Sequence, residues 1–269
     1  FIDVAKTKYE TGKGLQQDVL LAQLEQSKLI DKNIQIQALR SNQAILLNTM
    51  MNLRANAEVS LPRTVNKSLP TILNEHRLYQ LAAIHRPIIK QREQTVAASE
   101  SRLDLAKRNE YPDFNVAVNY GNRSGNNPMP MSGSRSDFVS VMVGIKVPLY
   151  SGRKQSKAIR QKSSELEKNH YAVLDEKGRV SAEISTAVTD YRRAGEQMSL
   201  FGSGIVPQAR QTVQSMLAGY QVSKVDFLNL VRSQITLLNY ELQYWKSLSE
   251  AKQALAKIQA AVGEESIYE

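Results

Sequence analysis

Residues 8–24 read KYETGKGLQQDVLLAQL, and 211 positions later residues 219–235 read GYQVSKVDFLNLVRSQI. Tyr9 aligns with Tyr220, Lys13 with Lys224, Gln23 with Gln234 and Leu24 with Ile235. Asp18 aligns with Asn229, its near isostere. Each copy has an aromatic residue, a short polar break with a turn-forming residue, and a long run of apolar residues at helical spacing. Self-similarity at a fixed distance, in a shared context of long helix, tight turn and long helix, predicts two tandem structural halves. One full period and a fraction fit in 269 residues. The chain is therefore expected to carry the end of a first repeat and the whole of a second. It opens at Phe1-Ile2-Asp3, inside a helical pattern, with neither an initiator methionine nor a leader; this fits a first repeat cut short.

Outward from the first copy, Val19, Leu20, Leu24, Leu29, Ile30, Ile34, Ile36, Leu39, Ile45, Leu46 and Met50 recur at threes and fours. That spacing predicts one helix from about Leu15 to about Arg54. At ~1.5 Å per residue it would be about 60 Å long. Gly12 and Gly14 end the helix before it. Residues 55–74, with Pro62 and Pro70, read as a linker. A short helix from about Glu75 to His85 follows, and Pro87 suits the first turn of another that runs to about Arg108. From 152 to about Tyr220 the pattern is helical again, with a soft spot at Phe201-Gly202-Ser203-Gly204 and Pro207. A tight turn at about Val222–Val225 leads into a last helix, from about Asp226 as N-cap to about Ala261, stopped by Gly263.

Residues 112–149 differ from all of this. Phe114, Val116, Val118 and Tyr120 alternate with Asn115, Ala117 and Asn119. After a Gly/Asn/Ser/Pro-rich loop, Val139, Val141, Val143, Ile145, Val147 and Leu149 alternate with Phe138, Ser140, Met142, Gly144 and Lys146. Each run is close to the roughly 9–11 residues with which a tilted strand crosses a bilayer. One apolar face and one small or polar face is the pattern of lipid outside and lumen inside. It is also the pattern of a half-buried hairpin in a soluble sheet. Two strands between helices cannot close a barrel, so a membrane role needs partner strands from elsewhere.

The net charge of +9 is spread along the helices, with Asp and Glu interleaved among Lys and Arg. That reads as solvated helix faces and not as a nucleic-acid groove. Cysteine is absent, so disulfides, thiol catalysis and Cys-based metal sites are excluded. No run of 18 apolar residues exists, which excludes a transmembrane helix but not a β-barrel. His76, His85 and His170 stand in no zinc spacing, and no nucleophile elbow, P-loop or dinucleotide fingerprint occurs. No catalytic residue, cofactor or resident metal is therefore expected. Met129 and Met131 could offer soft thioethers to Cu(I), though two methionines in a Pro/Gly-rich loop are more often incidental.

The segments KYETGKGLQQDVLLAQ, HRPIIKQREQTVAASESRLDLAKRNEYPDF, VGIKVPLYSGRKQ and AGYQVSKVDFLNLVRSQ, in that order, resemble the TolC family of outer-membrane efflux ducts. GKGLQQDVLLAQ and SDFVSVMVGIKVPLYSGRK look closest to the CusC/CzcC-like branch, which serves heavy-metal efflux pumps. The resemblance implies a mainly α fold of very long antiparallel coiled-coil helices, with one β-hairpin contributing to a trimeric outer-membrane β-barrel. It implies a passive exit duct from periplasm to exterior, working as a homotrimer with a periplasmic adaptor and an inner-membrane pump, with metal ions a candidate cargo. On this reading 1–54 ends the first-repeat helical hairpin, 55–86 is an equatorial linker with a short helix, and 87–111 is an α-barrel helix. Residues 112–150 are the β-barrel hairpin, 151–263 the second helical hairpin and 264–269 a tail.

The resemblance also implies a periplasmic entrance where the two helical hairpins meet. There Gln17, Asp18, Tyr220, Lys224, Val225, Asn229 and Arg232 occupy the gate positions. Val225 stands where relatives carry an arginine that helps hold the pore shut. Asn229 and Arg232 stand where other members carry aspartate rings. Gly12, Gly14, Leu15, Val222 and Ser223 would form the turns that meet the adaptor, and Val139, Val141, Val143, Ile145 and Val147 would face lipid. A soluble coiled-coil scaffold with a β dimerisation arm and a basic helical nucleic-acid binder are the alternatives.

Overall fold

The computed structural model describes every residue except 63, 128, 130–132, 151 and 269. In chain order the elements are α1 (Ile2–Glu10), α2 (Gln16–Met50), α3 (Glu75–His85), α4 (Pro87–Arg108), β1 (Asp113–Gly121), β2 (Phe138–Lys146), α5 (Gln155–Ser199), a π-helical segment (Leu200–Ile205), α6 (Val206–Gln221) and α7 (Phe227–Val262). The fold is mainly helical, with one two-stranded antiparallel sheet. Among the described residues no helix is long and apolar enough to cross a membrane. The chain divides into two compact units.

The first unit holds Phe1–Leu73, Ser185–Gln259 and the chain from Ile267 onward. Its longest whole helix, α2, has 35 residues, about 50 Å at ~1.5 Å per residue. The helix ends at Met50, before the expected boundary at about Arg54, because Asn52 takes a left-handed conformation (φ 56°). The Leu53 amide then bonds back to the Asn48 carbonyl at 2.8 Å, a glycine-type helix stop supplied by asparagine. The Asn48 side chain, 1% exposed, donates to the Ala55 and Ala57 carbonyls and fixes the loop that follows.

The proline-bearing segment after α2 is a tethered strap. Tyr191 donates to the Pro70 carbonyl at 2.5 Å, Lys252 donates to the Ser68 carbonyl at 2.7 Å, and the Lys67 ammonium lies 5.0 Å from the Trp245 ring centre. Its end pairs with the C-terminal residues: Leu73 donates to the Ile267 carbonyl, Ile72 bridges Tyr268, and Ile267 is fully buried.

The soft spot at 201–204 is a π-helical turn and not a break. Pro207 has no amide hydrogen to give to the carbonyl four residues back. The backbone widens ahead of it, and the Val206 amide reaches the Phe201 carbonyl instead. Gly202 leaves room for the Tyr244 ring; a β-carbon there would sit 3.0 Å from Tyr244 Cε2.

The second unit holds Asn74–Ile184 and Ala260–Ser266. Asn74 caps α3 by accepting the Arg77 amide at 2.9 Å, and Pro87 opens α4. Leu78, Ile89 and Ile184 are buried in its core. Burial alone would raise the Glu176 carboxyl, but hydrogen bonds from Arg179 and Arg92 more than offset it and hold the group below the usual carboxylate range. Gly263 (φ 78°) ends α7, and a β-carbon on it would lie 2.9 Å from the His85 carbonyl and 3.1 Å from Arg86 Cα. Arg86 donates to the Ala260 carbonyl, at the negative end of α7. Gly263→Ala meets both a left-handed backbone and a backbone wall. It should cost about 1–3 kcal/mol in thermal unfolding, and a neutral result would remove this account of the α7 stop.

β1 and β2 pair without a bulge, from Asp113 opposite Lys146 to Gly121 opposite Phe138. Opposed residues share a face. Phe114, Val116, Val118 and Tyr120 therefore line up with Ile145, Val143, Val141 and Val139. The other face carries Asn115, Ala117, Asn119, Ser140, Met142 and Gly144. β2 ends at Lys146, so Val147 lies just past the strand, before Pro148, which has no amide for the ladder.

Candidate functional site

Two helix–turn–helix joints meet within the first unit. At the first, the Gly12 amide bonds to the Tyr9 carbonyl (2.9 Å) and the Lys13 amide to the Lys8 carbonyl (2.8 Å). At the second, the Ser223 amide bonds to the Tyr220 carbonyl (3.0 Å) and the Lys224 amide to the Gly219 carbonyl (2.8 Å). Every partner is displaced by 211 positions, the offset read from the sequence. Both are Schellman stops with the central residue left-handed, Gly12 at φ 70° and Ser223 at φ 60°. Serine there replaces the glycine that the conformation favours.

Each turn has one close approach of a side chain to a glycine. A β-carbon on Gly14 would lie 2.9 Å from Lys8 Cβ. A β-carbon on Gly219 would lie 2.7 Å from Val225 Cγ2. Positions 8 and 14 correspond to 219 and 225, so the glycine has changed sides between the copies.

The helices leaving these turns share a core. Ala5 of α1, Ala22 of α2, Tyr220 of α6 and Phe227, Leu230 and Val231 of α7 are buried together, flanked by Val19, Met216 and Leu217. Tyr220 is 3% exposed, and its ring centre lies 5.2 Å from that of Phe227. Its hydroxyl donates to Asp18 Oδ2 at 3.1 Å. Burial, followed by the hydrogen bond to Asp18 and that residue's charge, pushes the Tyr220 hydroxyl up to about 12. The phenol is thus a neutral donor across the physiological range. Its contribution is fully present below the free phenol's value of about 10 and is lost as pH rises through the shifted value.

Lys8 joins the same cluster, and sequence reasoning missed it. Its ammonium donates to the Tyr220 carbonyl and, at 2.9 Å, to Ser223 Oγ, and it lies 4.5 Å from the Tyr220 ring centre. The residue is 9% exposed. The available signal was its spacing: Lys8 follows Ala5 by three and Val4 by four, on the apolar stripe of α1.

The other expected site residues are less engaged. Gln17 and Lys224 are exposed, and Val225 is half-buried against Gly219. Asn229 serves the start of α7: its amide and side-chain nitrogen both donate to Asp226, at 2.8 and 2.9 Å. Arg232 is exposed on α7. Leu15 and Val222 are exposed at the turns, and Gly12 has open space where a side chain would go. Tyr9, the repeat mate of Tyr220, is 47% exposed, so the aligned tyrosines do different work.

Val139, Val141, Val143 and Ile145 are 60–71% exposed, as are their partners Phe114, Val116, Val118 and Tyr120 at 64–71%. Among the described residues nothing covers this apolar sheet face. Met129 is almost wholly exposed, and Met131 lies outside the described residues. Among the described residues no group of three His, Cys, Asp or Glu side chains is placed to hold a metal ion.

A family model described as outer membrane efflux protein matches residues 78–264. No curated protein matches the chain. Among solved structures the chain is similar to the outer-membrane channel OprN, at 19% identity over 97% of this chain and 58% of that one, with a TM-score of 0.83. It is similar to the outer membrane protein VceC of Vibrio cholerae, at 17% identity over 98% and 62%, TM-score 0.81. It is also similar to CusC, at 17% identity over 98% and 61%, TM-score 0.75. The fold likeness thus extends over several channels and does not single out the CusC branch. The chain spans about three fifths of the length of these structures.

Proposed function

We propose, since the chain belongs to the outer membrane efflux protein family, that it is part of an outer-membrane exit duct that conducts its cargo passively from periplasm to exterior. The observation that carries this reading is the exposed apolar face of the β1–β2 sheet. A two-stranded sheet has open edges, and an uncovered apolar face in water has no stabilising partner. Further strands and lipid supply both, and a homotrimer closed into a barrel provides the strands. Residues 112–150 then lie in the outer membrane, with Val139, Val141, Val143, Ile145 and Val147 toward lipid. The helical hairpins of 1–54 and 151–263, with 87–111, extend into the periplasm.

In this reading the paired turns form the periplasmic entrance. Gly12, Gly14, Leu15, Val222 and Ser223 meet the helical hairpins of an adaptor that links the duct to an inner-membrane pump. The Tyr220–Asp18 bond ties the second hairpin to the first and belongs to the closed state. Gln17, Lys224, Val225, Asn229 and Arg232 surround the opening. Arg232, with no aspartate ring beside it, disfavours a strongly cation-attracting entrance. In this reading the duct conducts its cargo without chemistry on it. The resemblance of GKGLQQDVLLAQ and SDFVSVMVGIKVPLYSGRK to the heavy-metal branch makes metal ions the first cargo to test.

Reconstituting the full-length protein in planar bilayers tests the reading. Discrete ion-conducting pores are expected. Tyr220→Phe combined with Asp18→Ala should raise the conductance modestly, because it breaks one link and leaves the others. Absence of any pore from correctly assembled protein would overturn the duct. Unchanged conductance in the double variant, with a stability loss of about 0.3–1 kcal/mol from the lost acid in the first turn of α2, would overturn the gating role of this pair.

A further inference from the structure

Lys8 lies on the buried side of a short helix, and its ammonium meets two acceptor oxygens and one aromatic face. The Tyr220 carbonyl lies in the last turn of α6, at the negative end of that helix. Ser223 Oγ accepts a second hydrogen bond at 2.9 Å, and the Tyr220 ring presents its face 4.5 Å away. The absence of a side chain at Gly14 leaves room for the Lys8 β-carbon, which a β-carbon on Gly14 would approach to 2.9 Å. The second turn has no counterpart, since position 219 is glycine and a side chain there would meet Val225. The cation comes only from the first hairpin, and the second supplies only acceptors.

We propose that Lys8 is a latch of the closed entrance, holding the end of α6 and the turn residue Ser223 against α1. The inference rests on the duct reading given above. Tyr220 is then gripped from two sides, at its hydroxyl by Asp18 of α2 and at its carbonyl and ring by Lys8 of α1. Losing the hydroxyl bond leaves the second grip in place. A buried ammonium cannot stay behind when its acceptors move away, because an unpaired charge in that setting is costly. Release is therefore concerted: the ammonium reaches water as the two hairpins part. That makes Lys8 a two-state element and not a graded contact.

The test compares full-length wild-type protein with Lys8→Met, Lys8→Arg and Ser223→Gly in planar bilayers, and measures the melting temperature of each. Lys8→Met keeps the unbranched apolar stem and removes the charge and donors. It should raise the open probability about tenfold. Lys8→Arg keeps the charge and should stay close to wild type. Ser223→Gly removes one acceptor and relieves a left-handed backbone. It should melt no lower than wild type yet open more often. A merely structural lysine predicts a lower melting temperature for Lys8→Met with conductance unchanged, and no effect of Ser223→Gly on conductance. Wild-type pores with unaltered gating in Lys8→Met and Ser223→Gly would overturn the latch and leave the duct standing. No pore from the wild type would overturn the duct itself. If Lys8→Met fails to assemble, Ser223→Gly decides alone.

Discussion

Phe227→Ala should destabilise the full-length protein by about 3–5 kcal/mol. Phe227 begins α7 and is 1% exposed. It packs on the Tyr220 ring in a cluster drawn from α1, α2, α6 and α7. The one large ring beside it, Tyr220, is held by its bond to Asp18, and Ala5 and Ala22 are too small to fill the space an aromatic ring leaves. The cavity term therefore adds to the lost transfer energy. Thermal or urea unfolding followed through the helical circular dichroism measures the loss. Leu228→Ala, one residue on and 43% exposed, is the control and should cost well under half as much. Equal losses at the two positions would mean that the joint is not packed around Phe227.

Val143→Arg should be as severe, by a different mechanism. Val143 sits in the middle of β2, opposite Val116, and is 71% exposed. In the proposed duct that exposure is contact with lipid. A charge near the midplane of a bilayer then costs about 2–4 kcal/mol and impairs insertion. Ser140→Arg lies on the other face, toward water, and should be mild. The measurement is the yield of folded protein inserted into bilayers, with both variants side by side. Two arginines of equal effect would argue for a hairpin packed on both faces by protein.

The repeat was legible because its turns are built from short-range chemistry. A helix stop needs a left-handed residue and two back-bonded amides, and GKG and VSK announce those over a few positions. The 211-residue offset fixes the hydrogen-bond partners at both joints. The strands were legible to within a few residues because alternation survives without tertiary context. Their ends were less so, since the alternation ran through Val147 and Leu149 while Pro148 stopped the ladder. The soft spot at Gly202 and Pro207 was visible as composition. Its outcome, a π-helical turn, depends on how the freed carbonyls find donors, which composition does not record. The pairing of Asp18 with Tyr220 was readable through the family resemblance. Lys8 was not, because a lone lysine in a charged sequence looks like surface until its helix is seen to bury that face. Asn229 was read as a gate position, and the structure shows its side chain and amide both engaged by Asp226.

The glycine that changes sides between the two turns orders the substitutions open to this chain. One joint holds lysine with glycine and the other glycine with valine, at corresponding positions. A route between these states by single replacements has two possible midpoints. Lysine with valine sets a β-branched side chain against the lysine β-carbon, 2.9 Å from where its first carbon would sit. Glycine with glycine clashes with nothing and loses only packing and some backbone order, about 1 kcal/mol per helical glycine. Only the second midpoint is passable, so the lysine must go before the valine arrives, and the valine must go before a lysine returns. A hairpin that has acquired the valine therefore cannot regain a buried cation at that place in one step. Asymmetry between the two halves is thereby held by a steric ratchet, in addition to whatever the lysine itself does.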